Sequence, residues 1–335
     1  MRVSPAELLV VDDLSVTYAL PRGRQLIAVA NVSFTVHKGE TLGLVGESGC
    51  GKSTISRAIM QLPPPTGGAV VFEGRNLAHL DTAALRRART RLHMIFQDPI
   101  SSLNPHRKVR DIVAEPLAIA GMGDAEDRKR RVRAALENVG LDPDQVMDRR
   151  PHEFSGGQCQ RIAIARALVT EPQLVICDEP VSALDVSVRA QILNFLEDMK
   201  AHYHLTLLFI SHDLAVVKNI SDRVAVMYLG RLCELAPSAR LYEAPLHPYT
   251  AALMAAIPVM DPDRCRSPSH LLAGELPSPM NPPSGCRFRT RCPRATPHCA
   301  AHEPEWRETE AGHFVACHFP LVAPQGATIS PARQP

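Results

Sequence analysis

The sequence predicts an α/β chain built on a doubly wound parallel sheet, and three observations predict it. Apolar strand-like runs alternate with helical patterns from the start to about residue 236, as βα units do. One of these runs, TLGLV (41–45), passes directly into GESGCGKST (46–54), a glycine-rich phosphate loop set between a strand and a helix. Another, QLVICDEP (173–180), reads as a buried strand that ends in two carboxylates.

The totals bound what the rest can be. A chain of 335 residues has room for one large domain and a smaller one. Hydrophobic residues at 45% and charged residues at 21% are ordinary globular usage. With 37 basic against 35 acidic side chains, the net charge of +2 gives no footprint for nucleic acid, and no nucleic-acid partner is expected. The densest basic run, RKRRVR (128–133), lies within EDRKRRVRAALENVG and reads as the solvated face of an amphipathic helix. MRVSPAELLVVDD lacks the charged start and apolar stretch of a signal peptide, and no run reaches the roughly 18 apolar residues of a spanning helix. The expectation is a cytosolic chain whose membrane contact comes through partners.

Composition changes near residue 237. From Pro237 onward fall 17 of the 29 prolines, and five of the nine cysteines lie after residue 264. Residues 1–237 are therefore read as the compact α/β domain. Residues 238–335 are read as an irregular extension that packs little on its own, with a flexible tail after about 320.

The phosphate site is read strand by strand. In the loop, Gly46, Gly49 and Gly51 let backbone N–H groups turn inward, and Glu47, Ser48, Cys50 and Thr54 complete the cradle. Lys52 is placed to reach the β- and γ-phosphates, and the Ser53 hydroxyl to bind Mg²⁺. At the end of the second strand Asp178 suits a magnesium-holding carboxylate, and Glu179 projects toward the γ-phosphate as a general base. An apolar strand ending in Asp-Glu is a weak signal alone and a strong one behind a phosphate loop. A third strand, LTLLFI (205–210), runs into SHD and puts His212 beyond its C-terminal end, the edge where doubly wound sheets bind ligands.

FSGGQCQRIAIARAL (154–168) discriminates further. Ser155 can cap the helix that starts there, and Gly156 and Gly157 leave backbone amides bare, which makes a second phosphate-binding device. One nucleotide needs one phosphate loop. The second device therefore serves a different ATP, or the same ATP from another subunit.

Together these residues resemble the nucleotide-binding subunit of ATP-binding cassette (ABC) transporters over about residues 8–235. The resemblance implies a RecA-like core, an N-terminal antiparallel β subdomain and an α-helical subdomain at about 98–165. It implies that Tyr18 stacks on adenine and that Gln97, in MIFQDP, senses Mg²⁺ and the attacking water. It also implies that Ser155, Gly157 and Gln158 contact the γ-phosphate of ATP held by the opposite subunit. Ser182, Ala183, Leu184 and Asp185 fit the D-loop, which crosses the dimer interface. Phe154 stands where the general pattern has Leu, a position away from nucleotide.

A narrower resemblance covers the remainder. PLHPYTAALMAAIP (245–258) and GELPSPMNPPSGC (274–286) look like the C-terminal extension of oligopeptide/dipeptide importer ATPases, closest to the dipeptide-importer ATPase. It implies an ATPase that powers peptide import from the cytoplasmic side of the membrane. The implied partners are a second, different ATPase subunit, two permeases and an extracytoplasmic binding protein. Nickel and glutathione importers share this architecture, so the cargo stays open. Two rivals fit less well. A non-transport ABC ATPase carries a long coiled coil or a second cassette, and a soluble P-loop kinase leaves FSGGQ and HPYT unexplained.

Cys286, Cys292, Cys299 and Cys317 remain. Structural zinc sites usually show C-x2–4-C pairs, which are missing here, and the spacing leaves a metal site and unrelated thiols both open. The resemblance tips the reading to a [4Fe–4S] cluster, with Zn²⁺ as the alternative, including a mixed site with His298, His302, His313 or His318. Metal binding would then supply order to a segment with little core.

Overall fold

The structure, a computed structural model, describes residues 6–182, 184–257 and 274–321. Ala183, Cys265 and the stretch after 321 lie outside the described residues.

β1 (Glu7–Ala19) and β2 (Gln25–His37) form a long antiparallel hairpin. Along β2 alternate residues Val32, Phe34 and Val36 turn inward, the period-2 pattern of a one-sided sheet. β3 (Thr41–Val45) is buried at every position, as the strand centre of a doubly covered sheet must be, and leads through the glycine loop into α1 (Lys52–Ile59). β4 (Gly67–Phe72) and β5 (Arg75–Asn76) return to the hairpin, giving a four-stranded antiparallel sheet in the order β2-β1-β4-β5. After α2 (Thr82–Ala88) comes β6 (Leu92–Ile95).

Between β6 and the next strand the chain is helical: α3 (Pro99–Ser102), α4 (Val109–Ala120), α5 (Ala125–Asn138), α6 (Pro143–Val146) and α7 (Gly156–Leu168). Asp98, Asp124 and Asp142 start three of these by accepting backbone N–H groups of the first turn. The basic run lies on α5, whose inner face is Val132, Ala135 and Leu136, as the sequence pattern predicts.

β7 (Leu174–Asp178), α8 (Val186–Tyr203), β8 (Thr206–Ser211), α9 (Leu214–Ile220) and β9 (Arg223–Tyr228) complete the alternation, and β10 (Arg231–Pro237) turns back antiparallel to β9. The second sheet has the order β11-β12-β10-β9-β3-β8-β7-β6, parallel from β9 to β6. One core fills the space between the two sheets around α1, and another lies between the larger sheet and the helices.

The extension adds α10 (Ser238–Glu243), α11 (Pro248–Ala255) and α12 (Pro297–Ala301), then the short strands β11 (Arg307–Glu310) and β12 (His313–Val315). It is largely irregular, as expected. What the composition did not indicate is its attachment: β12 pairs with β10 through Glu234–Val315 and Leu235–Phe314, so the segment extends the main sheet. Buried Glu234 reinforces the joint by accepting from the Leu246 and His247 N–H groups and pairing with His313 at 2.8 Å. Among the described residues no helix is long and apolar enough to cross a membrane.

Candidate active site

β3, β7 and β8 are neighbours in one parallel register, so the segments after them emerge together at one sheet edge. That edge collects the side chains named from the sequence. Lys52 Nζ, 4% exposed, donates to the carbonyls of Gly46 (2.8 Å) and Glu47 (3.1 Å) and lies 3.9 Å from the Glu179 carboxylate. Ser53 Oγ donates to Asp178 at 3.0 Å, and Ser56 Oγ is 3.4 Å from the other oxygen of that carboxylate. Gln97 Nε2 donates to Glu179 Oε2 at 3.1 Å, and His212 Nδ1 is 3.2 Å from the same oxygen.

The loop geometry explains the glycines. Gly46 and Gly51 have φ of +156° and +110°, and a Cβ there would come within 2.2 Å of the Met227 carbonyl and 2.5 Å of the Ala28 carbonyl. Only a residue without a side chain lets the loop pass this close under its neighbours. Ser48 and Gly49 are exposed at the tip, Cys50 is buried beneath it, and Thr54 continues α1 behind Ser53.

Two carboxylates stand out, Asp178 by its electrostatics and Glu179 by its backbone. Burial pushes the Asp178 carboxyl up from the ordinary carboxylate range, and the Ser53 hydrogen bond offsets this only in part. A bound divalent cation supplies the compensating charge, so Ser53 and Asp178 fit a magnesium ion chemically. Glu179 sits at φ +48°, a left-handed conformation that costs a non-glycine residue of order 1–3 kcal/mol. Its N–H bonds the Ile210 carbonyl, and its carbonyl accepts from Ser182 Oγ, which hold it in that conformation. Strain retained at the one residue that touches Lys52, Gln97 and His212 marks a constrained functional position.

The remaining predicted residues lie elsewhere. Tyr18, near the end of β1, is half-buried against the inter-sheet core. Ser155, Gly156, Gly157 and Gln158 open α7 with a reciprocal capping box: Ser155 Oγ accepts the Gln158 N–H and Gln158 Oε1 accepts the Ser155 N–H. A Cβ on Gly157 would lie 2.9 Å from Val188, so that glycine is also required by the approach of α7 to α8. Asp185 is exposed at the start of α8. No hydrogen bond among the described residues joins this group to the phosphate loop of the same chain.

Cys286, Cys292, Cys299 and Cys317 do come together, lining one small cavity with Phe288 and His247. Burial raises the Cys286 and Cys292 thiols and pushes Cys317 up to about 11. Among the described residues no three His, Cys, Asp or Glu side chains converge closely enough to hold a single metal ion.

Sequence reasoning missed two residues near the loop. Arg291 binds the Glu47 carboxylate in a bidentate pair (2.6 and 3.1 Å), and the Tyr249 hydroxyl accepts the Glu47 N–H at 3.1 Å. Their only signals were the arginines of GCRFRTRC and the tyrosine of HPYT, which no local rule connects to residue 47.

A phosphate loop, two strand-end carboxylates and a glutamine and histidine converging on the second of them define an ATP-binding cassette. The chain belongs to the ABC transporter ATP-binding proteins of the oligopeptide/dipeptide transporter family. The family description "ABC transporter" matches residues 29–182, and "Oligopeptide/dipeptide transporter, C-terminal region" matches residues 233–299. The chain is 52% identical over 320 residues to the oligopeptide transport ATP-binding protein OppF of Salmonella typhimurium, covering 92% of this chain and 95% of that protein. It is 53% identical over 296 residues to a putative peptide import ATP-binding protein of Brucella ovis, covering 88% and 93%. The cassette MJ0796, solved as a dimer in a post-hydrolysis state with ADP and Pi, superposes with a TM-score of 0.63 at 27% identity. That match covers 69% of this chain and 98% of the cassette.

Proposed function

We propose that this chain is the ATP-hydrolysing subunit that powers peptide import through partner permeases at the cytoplasmic side of the membrane. The observation that carries it is the convergence of Lys52, Gln97 and His212 on Glu179, beside Ser53 and Asp178. In this reading Lys52 leaves the Gly46 and Glu47 carbonyls for the β- and γ-phosphates, and Ser53 and Asp178 hold Mg²⁺. Glu179 takes a proton from a water whose oxygen attacks the γ-phosphorus as the bond to the β–γ bridging oxygen breaks, giving ADP and phosphate. Gln97 and His212 orient the Glu179 carboxylate.

Tyr18 stacks on adenine in this reading. Ser155, Gly156, Gly157, Gln158 and Asp185 serve the nucleotide of a second ATPase subunit, in keeping with the lack of any hydrogen bond, among the described residues, between them and this chain's own loop. Exposed Phe96 and Ile100 flank Gln97 and suit an apolar permease contact. The working division is a motor of residues 1–237, with its helical part at about 98–165, and an extension of 238–335. Two permeases and an extracytoplasmic binding protein complete the assembly.

We assign the four cysteines to a [4Fe–4S] cluster. Their common cavity supports four thiolate ligands. Zn²⁺ held by the same four thiolates is the alternative. When bound it would supply order to a segment of little core. Anaerobic purification should yield about 4 iron and about 4 acid-labile sulfide per chain, and stoichiometric zinc without iron overturns this assignment.

Glu179→Gln tests the central claim. Assembled with its partners, the variant should bind ATP normally and lose roughly 10²–10⁴-fold in turnover. Near-normal turnover would sink the mechanism.

A further inference from the structure

Glu47 is held from two sides, and only one belongs to the cassette's phosphate-binding machinery. Its carbonyl receives the Lys52 ammonium at 3.1 Å. Its N–H and its carboxylate are both taken by the extension, through Tyr249 and Arg291. The two side chains are fixed before they reach the loop. Arg291, 5% exposed, donates its backbone N–H to the Phe288 carbonyl at 2.9 Å. Its guanidinium lies over the Tyr228 ring, which packs edge-on against Tyr249 and Phe288 at 4.7 and 5.3 Å. Phe288 is in turn a wall of the cysteine cavity, and Cys292 follows Arg291 directly.

A loop that accepts a polyphosphate is a poor place for a free carboxylate. Unpaired, Glu47 would repel the phosphates and leave the loop's first turn free to move. Paired, it is neutralised and pinned by a planar, bidentate donor that a lysine cannot reproduce.

We infer that Arg291 and Tyr249 are positioning residues of the phosphate loop, through which the docked cysteine segment pre-organises Glu47 and Lys52 for nucleotide. This rests on the ATPase reading above. The segment's attachment and the loop's affinity for nucleotide are then one property of the chain.

Binding of a fluorescent ADP analogue to the full chain tests it, because it needs neither hydrolysis nor permease. Arg291→Gln should raise the Kd by about tenfold, Arg291→Lys by less, and Tyr249→Phe, which removes one hydroxyl, by a few-fold. In a Glu47→Gln background Arg291→Gln should change the Kd little, since the carboxylate it pairs with and neutralises is already gone. Arg240→Gln, which breaks a bidentate pair with Glu310 elsewhere in the extension, should leave the Kd unchanged. In steady-state hydrolysis Arg291→Gln should raise KM more than it lowers kcat, which a merely structural role would not do. An Arg291→Gln Kd within twofold of the unaltered chain overturns the brace alone. No nucleotide binding by the unaltered chain overturns the ATPase reading, and the brace with it.

Discussion

The cassette and its extension are stabilised by different means although they share a sheet. In β3, β7 and β8 every residue is buried, and the strands are held by apolar packing on both faces. Between residues 274 and 321 the fully buried apolar side chains are few, chiefly Phe288 and Val315. Arginines do much of the remaining work. Arg231 pairs with Glu303 and Arg240 with Glu310, each at 2.9 Å, while Arg287, Arg294 and Arg307 donate to the carbonyls of Leu229, Pro320 and Cys317. Exposed ion pairs contribute little stability each, so the extension is docked by a small aromatic knot and the Glu234 joint rather than by a core of its own. A segment of that kind opens locally at a lower free energy than the sheet it joins.

The same substitution in the two regions gives the largest contrast. Phe209→Ala in β8 should lower global stability by about 3–5 kcal/mol, seen as a fall in the cooperative unfolding midpoint. Phe288→Ala removes a ring of the same size and should leave that midpoint nearly intact. It should instead accelerate amide exchange in residues 274–321 while β3, β7 and β8 keep their protection. Equal acceleration in both regions would erase the distinction between core and docked segment.

Acid provides a smaller test. Burial lowers His93, on the edge strand β6 of the cassette sheet, and His247, in the extension, each to about 4. An unfolded imidazole takes a proton near pH 6.5, whereas these two stay neutral in the folded chain until about 4. The unfolded state therefore holds more protons across that window. Stability is complete above pH 6.5 and declines as pH falls toward 4, by about 3 kcal/mol for each histidine. Exchange in the extension should rise first on acidification, and His247→Gln should flatten that rise without altering the cassette's own acid profile. A pH-independent extension would show that His247 contributes nothing to the joint.

The smallest effect is expected from Arg240→Gln, whose thermal midpoint should match that of the unaltered chain, since the pair it breaks is solvent-exposed. A clear destabilisation would mean that surface arginines hold the extension more firmly than its aromatic contacts.

Much of the phosphate site was legible because its parts are local. A glycine loop between strand and helix, an Asp-Glu at a strand end and a Ser-Gly-Gly at a helix start each specify their backbone geometry over a handful of residues. Gly157 was legible as a bare amide and not as the contact that lets α8 approach to within a side chain's width. β11 and β12 were not legible. RETE and HFV are too short and mixed in pattern to show a strand period, and they become strands only because β10 offers β12 an unpaired edge and β12 in turn offers its own to β11.

By itself the sequence determined the α/β alternation, the order of the motifs and which side chains stand at the loop and strand ends that meet around Glu179. Those follow from periodicity and from chemistry carried by contiguous residues. Only the tertiary structure decided that Arg291 would meet Glu47 across 244 positions, and that four scattered cysteines would share one cavity. Such contacts depend on where a core-poor segment docks. Docking is set by the aromatic knot around Phe288 and the buried Glu234 joint, whose members lie far apart in the sequence, so no local pattern encodes it.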